Sequence, residues 1–271
     1  MGFGVSLARR SLGEGGAETN FVFLSIIGNA FAVRFVLIVL SGLATTAFAV
    51  EDIHVRVRGS DARAIKFQNN GIEQEKKGDL VSARKNLDEA IRLDPKLWPA
   101  YYNRACIDMK QHKWELAVQD AGTALRGRPT FVSSALVRAW ANQKLKRYDA
   151  SLAELDHLIS ILRSGKPYIA ALNSAAWIRA TCPDASFRNG HLAISQARTG
   201  CEATAWKNAE IIDTLAVAYA ETGDFDSALR FQERAFAVEQ SSKEHKPELI
   251  EHMSKHLESF KQHRPWREIS K

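Results

Sequence analysis

The sequence predicts an all-α chain: a solenoid of about five stacked helix pairs, closed by a C-terminal capping helix. Three observations predict it. Pairs of small residues recur twelve positions apart: Gly71 and Ala83, Ala105 and Ala117, Ala139 and Ser151, Ala216 and Ala228. The second members keep a fixed period, with Ala83, Ala117 and Ser151 lying 34 residues apart, which is how a stacked-repeat array reads in sequence. From residue 60 onward, apolar positions such as Leu87, Ala90 and Ile91 follow the three-to-four rhythm of a one-sided helix, and alternating strand signals are absent. Arrays of this kind mostly present surfaces to other molecules.

The chain divides into an N-terminal segment (1–49), a linker (50–63), the repeats (64–240) and a capping helix with its tail (241–271). In the first segment, residues 35–49 form an apolar run behind Arg34, ending Ala47-Phe48-Ala49 before the acidic Glu51-Asp52. Small residues at these places fit a signal peptide cut after Ala49. The alternative is an uncleaved anchor. The run alone is shorter than the roughly 20 apolar residues of a membrane span, and extending it upstream takes in Asn29 and Arg34. Residues 1–20 hold several glycines and no periodic pattern, so a further expectation is that translation starts near Val33 and the upstream stretch is a start-site error. The expected location is exported, periplasmic or secreted, or alternatively anchored in the inner membrane.

In the repeats, small residues belong where two helices cross closely. Gly78-Asp79 and Gly223-Asp224 end one helix with a residue tolerant of positive φ and start the next. Pro95 and Pro129 follow finished helices, where a missing N–H costs little. Between the third and last pairs the spacing stretches to 42 residues, from Ser151 to Ala193, and returns to 35 at Ala228. After the last pair, residues 247–262 place Leu249, Met253, Leu257 and Phe260 on one stripe. That helix covers the face that the last repeat would otherwise expose. Trp266 is expected to pack onto it.

Residue by residue, the copies resemble the tetratricopeptide repeat. The first reads Phe67, Gly71, Gly78-Asp79-Leu80, Ala83, Leu87, Ala90 and Pro95; the second Tyr101, Ala105, Trp114, Ala117, Ala121, Ala124 and Pro129. The third reads Ala139, Tyr148, Ser151 and Leu155, and the last Leu215-Ala216, Tyr219, Gly223-Asp224-Phe225, Ala228 and Ala235. The stretched copy, with Ala180-Thr181-Cys182-Pro183-Asp184 between its helices, resembles a bacterial variant of the repeat. The resemblance implies a right-handed superhelix whose first helices line a concave groove. It places there Gln68, Ile72, Glu75, Tyr102, Asn103, Met109, Leu136, Trp140, Gln143, Asn173, Arg179, Asp213 and Thr214. The implied partner is a protein or peptide, with apolar area giving affinity and amides bonding the ligand backbone. Replacing Tyr102, Asn103 and Trp140 together by Ala is expected to spare the fold and weaken binding. The subclass that clamps a C-terminal carboxylate is not supported: of its matching places Gln68, Ile72, Asn103, Ser133 and Val137, only Asn103 agrees.

Charge and chemistry exclude other classes. The chain carries a net +6; Arg9, Arg10, Arg34, Glu14 and Glu18 contribute one of these, so removal of 1–49 leaves about +5. Acids and bases mix along helices, as in Glu73-Gln74-Glu75-Lys76-Lys77, which is how a solvated face reads. No basic stripe with interleaved aromatics appears, so no nucleic-acid partner is expected. A membrane partner is expected only through an uncleaved N-terminal segment. Cys106, Cys182 and Cys201 are read as free, buried small residues. Eleven residues of helix would hold Cys182 and Cys201 roughly 16 Å apart, beyond a disulfide's reach of about 7 Å. His245, His252, His256 and His263 crowd the cap, and His252 and His256 sit one turn apart, a spacing that can hold a metal. No motif fixes a third ligand, so they are read as a solvated polar face, with no metal and no cofactor expected. No nucleophile elbow or phosphate-binding glycine loop appears. The expected function is a non-catalytic adaptor or assembly factor of the bacterial cell envelope, and the alternative is a membrane-tethered structural scaffold.

Overall fold

The computed structural model describes residues 59–242 and 246–268. The signal-peptide and start-site expectations, most of the linker and His245 lie outside the described residues. Eleven α-helices follow one another within them: α1 Ala62–Lys76, α2 Leu80–Leu93, α3 Trp98–Lys110, α4 Trp114–Gly127, α5 Val132–Lys144, α6 Tyr148–Ile161, α7 Lys166–Thr181, α8 Gly190–Ala203, α9 Ala209–Glu221, α10 Phe225–Gln240 and α11 Pro247–Lys261. A single 3-10 turn, Ala185–Phe187, sits between α7 and α8. No described helix is long and apolar enough to cross a membrane.

The predicted small-residue pairs occupy the crossings. Ala83, Ala105, Ala117, Ala139, Ser151, Ala216 and Ala228 are all fully buried, and so are Ala176 and Ala193 in the stretched copy. Gly71 has no room for a side chain. A Cβ there would stand 2.9 Å from Leu87 Cγ and 3.1 Å from the Ala83 carbonyl oxygen. Leu87 can shift a little, but the carbonyl belongs to α2 and cannot shift without moving that helix. Gly71→Leu is therefore expected to destabilise by about 3 kcal/mol through overpacking. A thermal midpoint equal to that of the wild type would show the α1–α2 register to be wrong.

The turns follow the same period with a change of residue. Gly78 and Gly223 adopt φ of 82° and 83°, while His112 and Lys146 hold the matching places at φ of 58° and 60°. Asp79 and Asp224 then cap the next helices by accepting from the Ser82 and Ser227 backbone N–H groups, both at 3.0 Å. These caps satisfy donors that each helix start leaves orphaned. Ion pairs repeat too: Arg104 donates to Asp120 at 2.6 and 2.8 Å, and Arg138 donates to Glu154 at 2.7 Å, one period later. Each ties the first helix of a pair to the second.

Neighbouring helices pack in sequence, and each odd-numbered helix from α1 to α9 also touches the next odd one. No even pair comes comparably close. The stack therefore curves with the odd helices on its inner side. In the stretched copy, Asn189 holds the longer connection in place. Its N–H donates to the Arg179 carbonyl at 2.9 Å, and its side chain accepts from the Leu192 N–H at 3.0 Å. Cys106, Cys182 and Cys201 are buried, and none of them forms a disulfide among the described residues.

Candidate functional site

The inner face is built by α1, α3, α5, α7 and α9. Of the thirteen residues predicted to line a groove there, eleven are buried, and only Met109 and Trp140 are partly exposed. Several have partners within the chain. Lys110 donates to Glu75 at 2.7 Å, tying α3 to α1. The Trp140 indole N–H donates to Ser174 Oγ at 2.9 Å, tying α5 to α7. Tyr102 lies edge-on to Phe131, ring centroids 4.8 Å apart, and is 1 % exposed. Burial pushes its phenol well above the usual range. The expectation that Tyr102 is a dispensable groove residue is thus corrected: it is core.

Three of the predicted groove residues of the last two pairs, Arg179, Asp213 and Thr214, are corrected for a different reason. Arg179 donates to Asp156 at 2.6 Å and to Gln196 at 3.1 Å. Thr214 Oγ1 donates to the Glu210 carbonyl at 3.0 Å. Asp213 accepts from Gln232 Nε2 at 2.7 Å and meets His256 Nδ1 at 2.8 Å. All three are turned into the packing, and the chain's own C-terminus covers this face. Helix α11 lies against both α9 and α10. Beyond it, Trp266 packs edge-on to His256 at 4.7 Å, as expected for a residue closing the cap. The Glu268 N–H donates to the Thr181 carbonyl at 3.1 Å, and Arg267 pairs with Glu221. The tail thus straps the C-terminal ends of α7 and α9.

The predicted solvated polar face on the cap is also overturned. His256 is fully buried and His252 is half-buried. Their rings lie 4.3 Å apart, and Trp177 of α7 packs on both, at 5.7 and 5.9 Å. Burial, reinforced by His256, pushes the His252 imidazole down to about 4, so it is neutral at pH 7. Of the other cap histidines, His263 is exposed and stacks on Phe225 at 5.2 Å.

Two inner-face amides stand apart. Asn103 Nδ2 on α3 and Asn173 Oδ1 on α7 are buried with no hydrogen-bond partner. They stand on the two inner helices, α3 and α7, that touch α5.

Comparison with solved structures places this architecture among tetratricopeptide-repeat folds. YrrB, a tetratricopeptide-repeat protein with an unusual peptide-binding site, aligns over 71% of this chain and 92% of its own, with 19% identity and a TM-score of 0.55. A tetratricopeptide-repeat protein from Parabacteroides merdae aligns over 75% of each chain, with 18% identity and a TM-score of 0.60. MamA from Desulfovibrio magneticus aligns over 68% of this chain and 99% of its own, with 14% identity and a TM-score of 0.56. At these identities the likeness is one of fold. No family model matches the chain.

Proposed function

We propose that the protein is a non-catalytic interaction module of the bacterial cell envelope, binding an extended peptide or a partner helix on the inner face of its first three or four helix pairs. The single observation that carries this reading is the pair Asn103 and Asn173. They stand on inner helices of different repeats with amide atoms unpartnered inside the protein. A buried amide group left without a partner costs about 1–3 kcal/mol, which a ligand backbone would offset. Met109 on α3 and Trp140 on α5 supply partly exposed apolar surface on the inner helices, suited to anchoring a side chain while the amides hold the main chain. Peptide binding by a neighbour of the same fold is in keeping with this reading. The last pair, α9 and α10, is left out of the site because α11 already packs against it.

The envelope location rests on the apolar run 35–49 with Ala47 and Ala49 before Glu51. The test of binding is affinity capture from an envelope extract by the full chain, beside an Asn103→Ala/Trp140→Ala variant that keeps its helical circular dichroism. A partner held by the wild type and lost by the folded variant is the expected result. Equal capture by both would exclude the inner face. N-terminal sequencing of the protein from fractionated cells checks export: Val50 as the first residue is expected, and an uncleaved membrane-bound form would favour the tethered scaffold instead.

A further inference from the structure

Helices α9 and α11 are far apart in sequence, yet they bring three metal-ligating side chains together. Asp213 from α9, and His252 and His256 from α11, each offer a donor atom, and these atoms all lie within 4.8 Å of one another. The closest approach is His256 Nδ1 to Asp213 Oδ1, 2.8 Å. Two atoms of the cluster are buried without any hydrogen-bond partner: Asp213 Oδ2 and His256 Nε2. Both residues are at most 1 % exposed on their side chains. Polar atoms sealed in this way are costly unless something satisfies them.

We propose that Asp213, His252 and His256 form a binding site for one divalent transition-metal ion of the zinc class, clamping the capping helix to the last repeat. Two imidazoles and one carboxylate are a donor set that zinc accepts. Calcium and magnesium favour oxygen-only shells. Zinc–nitrogen and zinc–oxygen bonds of about 2.0–2.2 Å in a tetrahedron put ligand atoms about 3.3 Å apart. The cluster is wider than that and contracts by side-chain rotation, for which half-buried His252 has the room. The surroundings are those of a supported site. Gln232 Nε2 donates to Asp213 Oδ1 at 2.7 Å and fixes the carboxylate's orientation. Trp177 packs on both imidazoles at 5.9 and 5.7 Å, and Trp266 lies edge-on to them at 5.9 and 4.7 Å. These indoles limit water around the ligands. The partly open side of His252 is the route for entry. Three protein ligands leave a fourth position for water. Binding through His256 Nδ1 shifts that ring's proton from Nδ1 to the unpartnered Nε2, leaving a neutral imidazole ligand, and clamps α11 to α9.

The experiment uses the full chain without a polyhistidine tag, stripped with a chelator and dialysed against Zn²⁺ or Co²⁺. Wild-type protein is expected to retain one equivalent of zinc, to give a Co²⁺ absorption spectrum of tetrahedral type, and to melt at a higher temperature with metal than without. His252→Gln changes the least buried ligand, so its fold should survive. That variant should bind at least tenfold more weakly and lose the metal-dependent rise in midpoint. Substoichiometric zinc in the wild type overturns the proposal whatever the variant does. Equal binding by wild type and a folded His252→Gln protein also overturns it, since the metal then sits on other surface groups.

Discussion

Phe260→Ala is expected to lower stability by about 3–5 kcal/mol, the range for deleting a fully buried aromatic ring and leaving its cavity. For an array of this size, that lowers the thermal midpoint by on the order of 10 °C. Phe260 and Met253 are both fully buried in the cluster that also holds Ile211, Leu215, Ala228 and Phe231 of α9 and α10. Each helix pair in a solenoid leaves an apolar face for the next to cover, and after α10 only α11 does so. Removing the ring loosens α11, and with it the cover over Trp177, Asp213 and His256. Hydrogen exchange should therefore accelerate first in α9 to α11, while α1 to α4 stay protected. A midpoint within two degrees of the wild type would mean that the cap contributes little to the array. Leu257→Ala provides the contrast: its side chain is only half-buried, so a clearly smaller loss is expected.

The array was legible because its signals are local and periodic. Ala83, Ala117 and Ser151 announce the register, and the structure seats all three at crossings. Gly78 and Gly223 mark turns that require positive φ; the matching turns at His112 and Lys146 carry no glycine and were visible only through the period. The candidate site was much less legible. The apolar stripe of α11 in the sequence is Leu249, Met253, Leu257 and Phe260, but the fully buried face is Met253, His256 and Phe260. Polarity hid His256: a histidine is assigned to solvent unless its partner is known. That partner, Asp213, comes from 43 residues away, and no spacing rule connects them. Repeat position alone puts Asp213 in the groove. Repeat position says which helix carries a residue, but the end of the array, where α11 and the tail fold back, decides what that residue faces.

Tyr102→Ala is expected to cost about 3–5 kcal/mol as well, and its value lies in separating core from binding surface. Tyr102 shares a buried cluster with Ala105, Cys106, Ala121, Ala124 and Val137, and Phe131 lies against its ring. A ligand on the inner face meets partly exposed Trp140 and Met109 first. If that division holds, Tyr102→Ala lowers the midpoint steeply, and any loss of capture follows the unfolded fraction. Trp140→Ala should leave most of the stability in place, giving up the bond to Ser174 and a half-buried ring, while weakening capture at a temperature where the protein is fully folded. Tyr102→Phe keeps the ring against Phe131 and should recover most of the stability. The measurement is denaturant unfolding of all three variants beside their capture of the same partner. A Tyr102→Ala protein as stable as the wild type but unable to bind would return Tyr102 to the binding surface. The Tyr102 ring would then be within the ligand's reach, contrary to its packing against Phe131.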